Sequence, residues 1–164
     1  MMDVTRKEAC DIITSAIGKK PLEGLDLDRV ILAVNNDIQV RDFLLGLPKF
    51  FELSETIEFM KHMTDSAGEE QKAPFATVLA AFAYESGDIE AIKASMQTMK
   101  TYANDYNLSG LIVRIINAGW PAEQFATMRD GLAIKVAEEC YGVNGSTCIG
   151  HTPEGYTNAK LVSE

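Results

Sequence analysis

Apolar residues recur along most of this chain at intervals of three and four positions, which is the period of an amphipathic α-helix. The first such stripe runs from Ala9 to Ile17 and follows Thr5 and Glu8, whose spacing is that of a capping box. Gly18 and Pro21 are expected to end this helix, because neither residue favours its continuation.

Further segments with the same period predict seven more helices, and most of them are bounded by residues that start or stop helices. The expected ranges are 26–35, 37–47, 54–67, 74–86, 88–100, 107–118 and 121–140, and either Asn104 or Asn107 is expected to open the helix that ends at residue 118. Asp37 and Asp88 are placed as N-caps, while Gly87 and Gly119 are placed at helix ends. Valine and isoleucine do not alternate with period two, so no strand is predicted. The expected fold is all-α: a compact bundle of about seven or eight helices over residues 3–140.

The stripes also predict which side chains face the core in the last three helices. The expected inward-facing residues are Ile89, Ile92, Met96 and Met99; Leu108, Leu111, Ile112, Ile115 and Ile116; and Phe125, Met128, Leu132, Val136 and Cys140. Residues 141–164 are instead rich in Gly, Ser, Thr and Asn and show no periodicity. We expect them to form an extended or flexible C-terminal tail.

Composition narrows the class of protein. A length of 164 residues with 46% hydrophobic residues is enough for one domain with its own core. The net charge of −9 disfavours direct binding to nucleic acid, whose phosphates repel an acidic surface. The acidic run over 52–70 has two interpretations: a solvated helix face, or a surface that imitates nucleic acid and docks on a basic partner.

The spacing of the cysteines and the sequence of the first ten residues indicate the cellular compartment. Three widely spaced cysteines do not make a disulfide framework. The first ten residues lack the apolar run of a signal peptide, and no segment is apolar for the roughly 20 residues that a membrane span needs. We therefore expect a cytoplasmic protein without contact to a membrane.

Three segments of the chain together resemble one known protein family. The sequences NNDIQVRDFLL (35–45), FATVLAAFAYESGD (75–88) and NDYNLSGLIVRIINAGWPAE (104–123) resemble the helical C-terminal part of an uncharacterised family of actinobacteria and their phages. The similarity spans about residues 35–130 and implies no known reaction, cofactor or partner. Longer members carry an N-terminal α/β portion that is not seen here, and an aspartate–proline pair of the family is replaced by Asn104-Asp105. The hairpin 75–100 also resembles, more loosely, a tetratricopeptide unit.

A possible metal or thiol site involves Cys140, Cys148 and His151. Thiolate and imidazole are good zinc ligands, and His62 is a candidate fourth ligand, although the spacing is not that of a structural zinc site. Cys140 with His151 is also a candidate nucleophile and base. The alternatives are that residues 141–164 bind a partner protein or that they form a plain flexible tail.

The function expected from the sequence is non-enzymatic protein binding. The sequence contains no P-loop, dinucleotide, zincin or nucleophile-elbow motif. No cofactor is expected, and the partner is another protein, with a homodimer as one possibility. Asp37 and Arg41 are expected to form an ion pair four residues apart on one helix. Residues proposed to contact the partner are Trp120, Arg41, Tyr84, Met96 and Tyr156.

Overall fold

The computed structural model describes residues 4–141, which form eight α-helices and two short 3-10 turns. The helices are α1 (Arg6–Ala16), α2 (Gly24–Asn36), α3 (Ile38–Leu45), α4 (Leu53–Ser66), α5 (Ala73–Ser86), α6 (Ile89–Tyr102), α7 (Asn107–Ala118) and α8 (Ala122–Tyr141). The turns span Leu47–Lys49 and Glu69–Gln71. No strand occurs within this described range, so the predicted all-α bundle is confirmed.

The helix boundaries follow from the capping residues that the sequence identified. The side chains of Thr5, Asp37 and Asp88 accept hydrogen bonds from backbone amides at the start of α1, α3 and α6. Gly87 and Gly119 end α5 and α7 with φ values of 75° and 68°. This left-handed conformation is accessible to glycine because it has no Cβ atom.

Helix α5 lies at the centre of the bundle and contacts α3, α4, α6, α7 and α8. Phe75, Val78 and Phe82 are fully buried, and small residues cover the remaining faces of the helix. Alanine at Ala80 and Ala81 lets neighbouring helices approach the α5 backbone closely. One part of the core joins α1–α5 with the end of α8, and the second joins α5, α6, α7 and the start of α8.

Helix α8 returns across the bundle and packs on α3 and α1. Its approach to α3 is close at Gly46, where an added Cβ would lie 2.8 Å from the Cβ of Ala133. At its C-terminal end, the ring of Tyr141 lies 5.8 Å from the ammonium of Lys7 on α1. The predicted tail, 141–164, lies outside the described residues apart from Tyr141, which is still helical.

Four side chains that the stripes placed in the core are exposed. The exposed fractions are 61% for Ile89, 43% for Leu111, 39% for Met128 and 51% for Leu132. Periodicity identifies the apolar face of a helix, but it does not tell how much of that face another helix covers. Ile89 lies in the first turn of α6, and the other three border the crevice among α3, α7 and α8.

The predicted ion pair between Asp37 and Arg41 is wrong. Oδ1 of Asp37 accepts the capping hydrogen bond from the amide of Gln39, and Oδ2 accepts a 2.7 Å hydrogen bond from Nε of Arg6. Arg41 instead forms its ion pair with the adjacent Asp42, at 2.7 Å. Asp37 therefore caps the first turn of α3 through Oδ1 and joins α3 to α1 through Oδ2.

Among the described residues, no helix combines the length and the apolar character required to cross a membrane.

Candidate functional site

Two apolar depressions flank α7. The first lies between α6 and α7 and has a volume of about 620 Å³. The second lies among α3, α7 and α8 and has a volume of about 250 Å³. We call them the α6–α7 groove and the α3–α8 crevice. Both are lined largely by apolar side chains, and α7 forms a wall of each.

The floor and walls of the α6–α7 groove are apolar. Met99 and Ala103 form its buried floor, with 2% and 1% of their surface exposed. Half-buried side chains form the walls, which are Ile92 and Met96 of α6 and Val113 and Ile116 of α7. The predicted contact residue Met96 therefore lies in a groove that remains open to solvent.

A buried hydroxyl holds the turn beside this groove. The hydroxyl of Ser109, which is 4% exposed, donates to the carbonyl oxygens of Ala103 and Tyr106 at 2.6 and 2.7 Å. These bonds hold the turn between α6 and α7. Gly110 follows, and a Cβ added there would meet no atom within 4 Å, so the wall is open at this position.

Lysine residues border the α6–α7 groove on the α6 side. Lys93 and Lys100 are both exposed and both line the groove. They are seven residues apart, which is about two helical turns or roughly 10 Å. Glu90 is the only acidic residue of α6, and α7 has none. An acidic protein thus presents one apolar groove with a positively charged edge.

The α3–α8 crevice is narrower and is covered by exposed apolar side chains. Leu111 of α7 and Met128 and Leu132 of α8 are exposed beside it, above the buried ring of Phe125. These are the residues whose predicted burial was wrong. These three exposed apolar side chains therefore lie together beside one crevice.

Arg41, a predicted contact residue, lines this crevice but is already bound within the protein. Its side chain is 16% exposed and pairs with Asp42. The guanidinium also lies 5.9 Å from the ring centre of Tyr106 and 3.4 Å from its hydroxyl. Arg41 therefore holds the residue that precedes α7, which leaves little of its charge available to a ligand.

Two other predicted contact residues, Tyr84 and Trp120, meet at the turn between α7 and α8. The hydroxyl of Tyr84 donates a hydrogen bond to the backbone carbonyl of Trp120. The Tyr84 ring packs edge-on against Phe125, with centroids 6.3 Å apart. The Trp120 side chain itself remains 40% exposed, so the turn is held through its backbone while its side chain is accessible.

Of the predicted thiol and metal residues, the structure describes Cys140 and His62. Cys140 is 7% exposed and its neighbour is Cys10 of α1, a residue that the sequence analysis did not select. His62 lies on α4, where Nε2–H donates a 2.6 Å hydrogen bond to the carbonyl of Leu22. Cys148, His151 and Tyr156 lie outside the described residues. Within 4–141, no group of three or more potential ligands is arranged to hold a metal ion.

Neighbouring groups shift the thiol pKa values in opposite directions. A hydrogen bond with Cys10 lowers the pKa of Cys140, and the positive charge of Arg6 lowers it further. The same hydrogen bond raises the pKa of Cys10, and burial adds to this effect. Cys140 is therefore the more acidic thiol of the pair.

The acidic run is a continuous exposed feature of α4 and the turn after it. The exposed acids are Glu52, Glu55, Glu58, Asp65, Glu69 and Glu70. Lys61 lies 3.5 Å from Glu58 and partly neutralises this face. This arrangement agrees with a solvated helix face, and Glu55 and Glu58 also border a depression of about 380 Å³.

Comparison of the chain with protein-family models, with curated proteins and with solved structures found no match. The grooves beside α7 and the thiol pair are therefore interpreted from their own chemistry.

Proposed function

We propose that this protein is a non-enzymatic protein-binding module of the cytoplasm, and that the α6–α7 groove binds an amphipathic helix of its partner. The observation that carries the proposal is an open apolar groove with two lysines along one edge. The partner helix we propose has an apolar stripe that enters the groove and acidic residues that face Lys93 and Lys100.

The apolar walls support a helix-in-groove mode of binding. In this mode an amphipathic helix inserts side chains at positions i, i+3 or i+4, and i+7 into a groove between helices. Met96 and Met99 suit this role because an unbranched thioether side chain adapts to different neighbours. The described residues offer no strand edge to which a partner could add a strand, which favours a helical partner over an extended one.

The lysine edge supports an acidic partner. Lys93 and Lys100 match carboxylates seven residues apart on a helix that lies alongside α6. The net charge of −9 repels an acidic helix elsewhere on the surface, so the same charge distribution favours this groove over other sites. An acidic second copy of this chain could also dock here, and the test below separates that outcome.

The biological setting is proposed on the resemblance of residues 35–130 to a family of actinobacteria and their phages. On that basis we propose a protein of actinobacterial or phage origin that acts on a host protein.

Designed helical peptides test the proposal with the full chain. One peptide carries a leucine stripe flanked by glutamates seven residues apart. A second has lysines in place of the glutamates, and a third is a scrambled sequence of the first. Fluorescence anisotropy of the labelled peptides measures Kd. We expect the glutamate peptide to bind at least tenfold more tightly than the other two, with an advantage that shrinks as salt screens the charges.

Charge reversal assigns the binding to this groove. The variant Lys93→Glu with Lys100→Glu should favour the lysine peptide, whereas Lys135→Glu, the same change on the exposed face of α8, should leave the preference unaltered. Equal affinity for all three peptides would contradict the proposal. The proposal would also be contradicted if sedimentation experiments showed that the wild-type chain forms a dimer through this groove. Such a dimer should dissociate in the double variant.

A further inference from the structure

We propose that Cys10 and Cys140 form a reversible intramolecular disulfide that joins α1 to α8. This inference concerns a site distinct from the α6–α7 groove, and it does not depend on the proposed function. It rests on the contacts that hold the two thiols together and on the asymmetry of their surroundings.

The contacts between α1 and α8 place the two thiols beside each other. Arg6 of α1 lies 4.0 Å from Glu139 of α8, and Lys7 lies over the ring of Tyr141. Cys10 follows one turn after Arg6, and Cys140 lies between Glu139 and Tyr141. Each thiol is the neighbour with the largest effect on the pKa of the other. Both thiols are buried in the same part of the core.

The surroundings give the two thiols different roles. Cys140 is 7% exposed, and the Cys10 thiol and Arg6 favour its ionised form against the opposing effects of burial and of the charges of Asp37 and Glu139. A thiolate is the nucleophile in thiol–disulfide exchange. Cys10 is completely buried, and the charges of Asp11 and Asp37 act against its ionisation. Cys140 is therefore the thiol that meets an oxidant first, and Cys10 attacks second from within the protein.

The reaction is a two-electron oxidation by a low-molecular-weight disulfide, RSSR. The Cys140 thiolate attacks one sulfur of RSSR, forms the mixed disulfide Cys140–S–S–R and releases RS⁻. The sulfur of Cys10 then loses its proton, attacks Cys140 Sγ and releases the second RS⁻. The two thiol protons end on the two RS⁻ groups, so RSSR is reduced to two RSH and the protein gains one disulfide. An excess of RSH reverses both steps.

The disulfide would close a loop that contains most of the chain. A cross-link between distant positions stabilises a protein mainly by restricting its unfolded state, and the effect increases with loop length. We therefore expect the oxidised protein to unfold at a higher guanidinium concentration than the reduced protein.

The experiment uses the full chain with Cys148→Ser, because Cys148 is a competing thiol. The protein is equilibrated with mixtures of reduced and oxidised glutathione, quenched with acid, alkylated and digested for mass spectrometry. We expect a linked peptide pair that contains Cys10 and Cys140, loss of two titratable thiols, and an increase in the unfolding midpoint that dithiothreitol reverses.

Single-cysteine variants test the order of the steps. Cys10→Ala in the same background should accumulate glutathione on Cys140, while Cys140→Ala should leave Cys10 unmodified under native conditions. The proposal is overturned if the oxidised protein retains both thiols at the most oxidising ratio. It is also overturned if Cys140 stops at the mixed disulfide while Cys10 is present, or if glutathione accumulates on Cys10 first. The first two of these outcomes are measured on the Cys148→Ser protein, which retains Cys10 and Cys140. They can therefore be decided even if Cys10→Ala or Cys140→Ala does not fold.

Discussion

Arg129 of α8 donates a hydrogen bond to the carboxylate of Glu85 at the end of α5, and the two side chains are only 4% and 15% exposed. The same guanidinium donates to Asp130 at 2.8 Å. A buried charge is tolerated when it is paired and hydrogen-bonded, and it is costly when one partner is removed. This ion pair joins α8 to the central helix beside the α3–α8 crevice.

Glu85→Ala should therefore destabilise the protein strongly. Removal of the carboxylate leaves Arg129 buried with one acidic partner, Asp130. We expect the free energy of unfolding to fall by about 3 kcal/mol, the low end of the range for a broken buried pair. Urea unfolding followed by circular dichroism measures the change. The control Glu138→Ala, at an exposed position of α8, should change stability by less than about 0.5 kcal/mol. Similar effects for both variants would show that the pair contributes little.

Two glycine substitutions should change stability in opposite directions. The Cβ of Gly46→Ala would lie 2.8 Å from the Cβ of Ala133, so α3 and α8 must separate. We expect a loss of about 1–3 kcal/mol from overpacking. Gly131 lies within α8 with no atom near its added Cβ, so Gly131→Ala should stabilise the protein by about 0.5–1 kcal/mol. Thermal unfolding of both variants measures the difference, and an equal Tm for Gly46→Ala and the wild type would contradict the close approach.

Asp88→Ala should weaken the start of α6. Oδ1 of Asp88 accepts hydrogen bonds from the amides of Glu90 and Ala91, at 3.1 and 3.2 Å. Loss of an N-cap costs about 1 kcal/mol, whereas Asp88→Ser keeps an acceptor at the same position and should cost much less. Urea unfolding of the two variants compares the losses. The cap would be shown to be unimportant if alanine and serine gave the same stability.

Ionisation of the Tyr141 hydroxyl should contribute to a loss of stability at high pH. Burial is the main cause that raises the pKa of Tyr141 above its usual value of about 10, and the charges of Cys10 and Asp11 add to it. A raised pKa in the folded state means that the unfolded chain ionises first. The contribution of Tyr141 to stability is therefore complete below about pH 10 and is lost as the pH rises further.

Tyr141→Phe checks this dependence, because phenylalanine keeps the ring without the titrating hydroxyl. Between pH 9 and 11.5, the free energy of unfolding should fall less steeply for the variant than for the wild type. Parallel pH profiles would show that the tyrosine hydroxyl ionises equally well in the folded protein.

Much of the local structure could be predicted from the sequence. The apolar period of three and four, with caps at Thr5, Asp37 and Asp88 and stop signals at Gly87 and Gly119, depends on residues that are close together in the chain. Such short-range interactions are present in any conformation that forms the helix. For the same reason Met96 could be placed on the face of α6 that now lines the α6–α7 groove.

Side-chain partners across helices could not be predicted in this way. Asp37 pairs with Arg6 rather than Arg41, and the proximity of Cys10 to Cys140 depends on how α8 lies across α1. Leu132 belongs to an apolar stripe, yet half of it is exposed because no helix of the described residues 4–141 covers it.

The sequence by itself determined that this protein is a bundle of α-helices, and it determined most of their boundaries, because helical period and capping are local properties. Only the tertiary structure decided which apolar faces stay open beside α7 and which charges and thiols meet in the core. Those relationships depend on the directions in which distant helices pack, and a contact such as that between Gly46 and Ala133 exists only after the chain has folded.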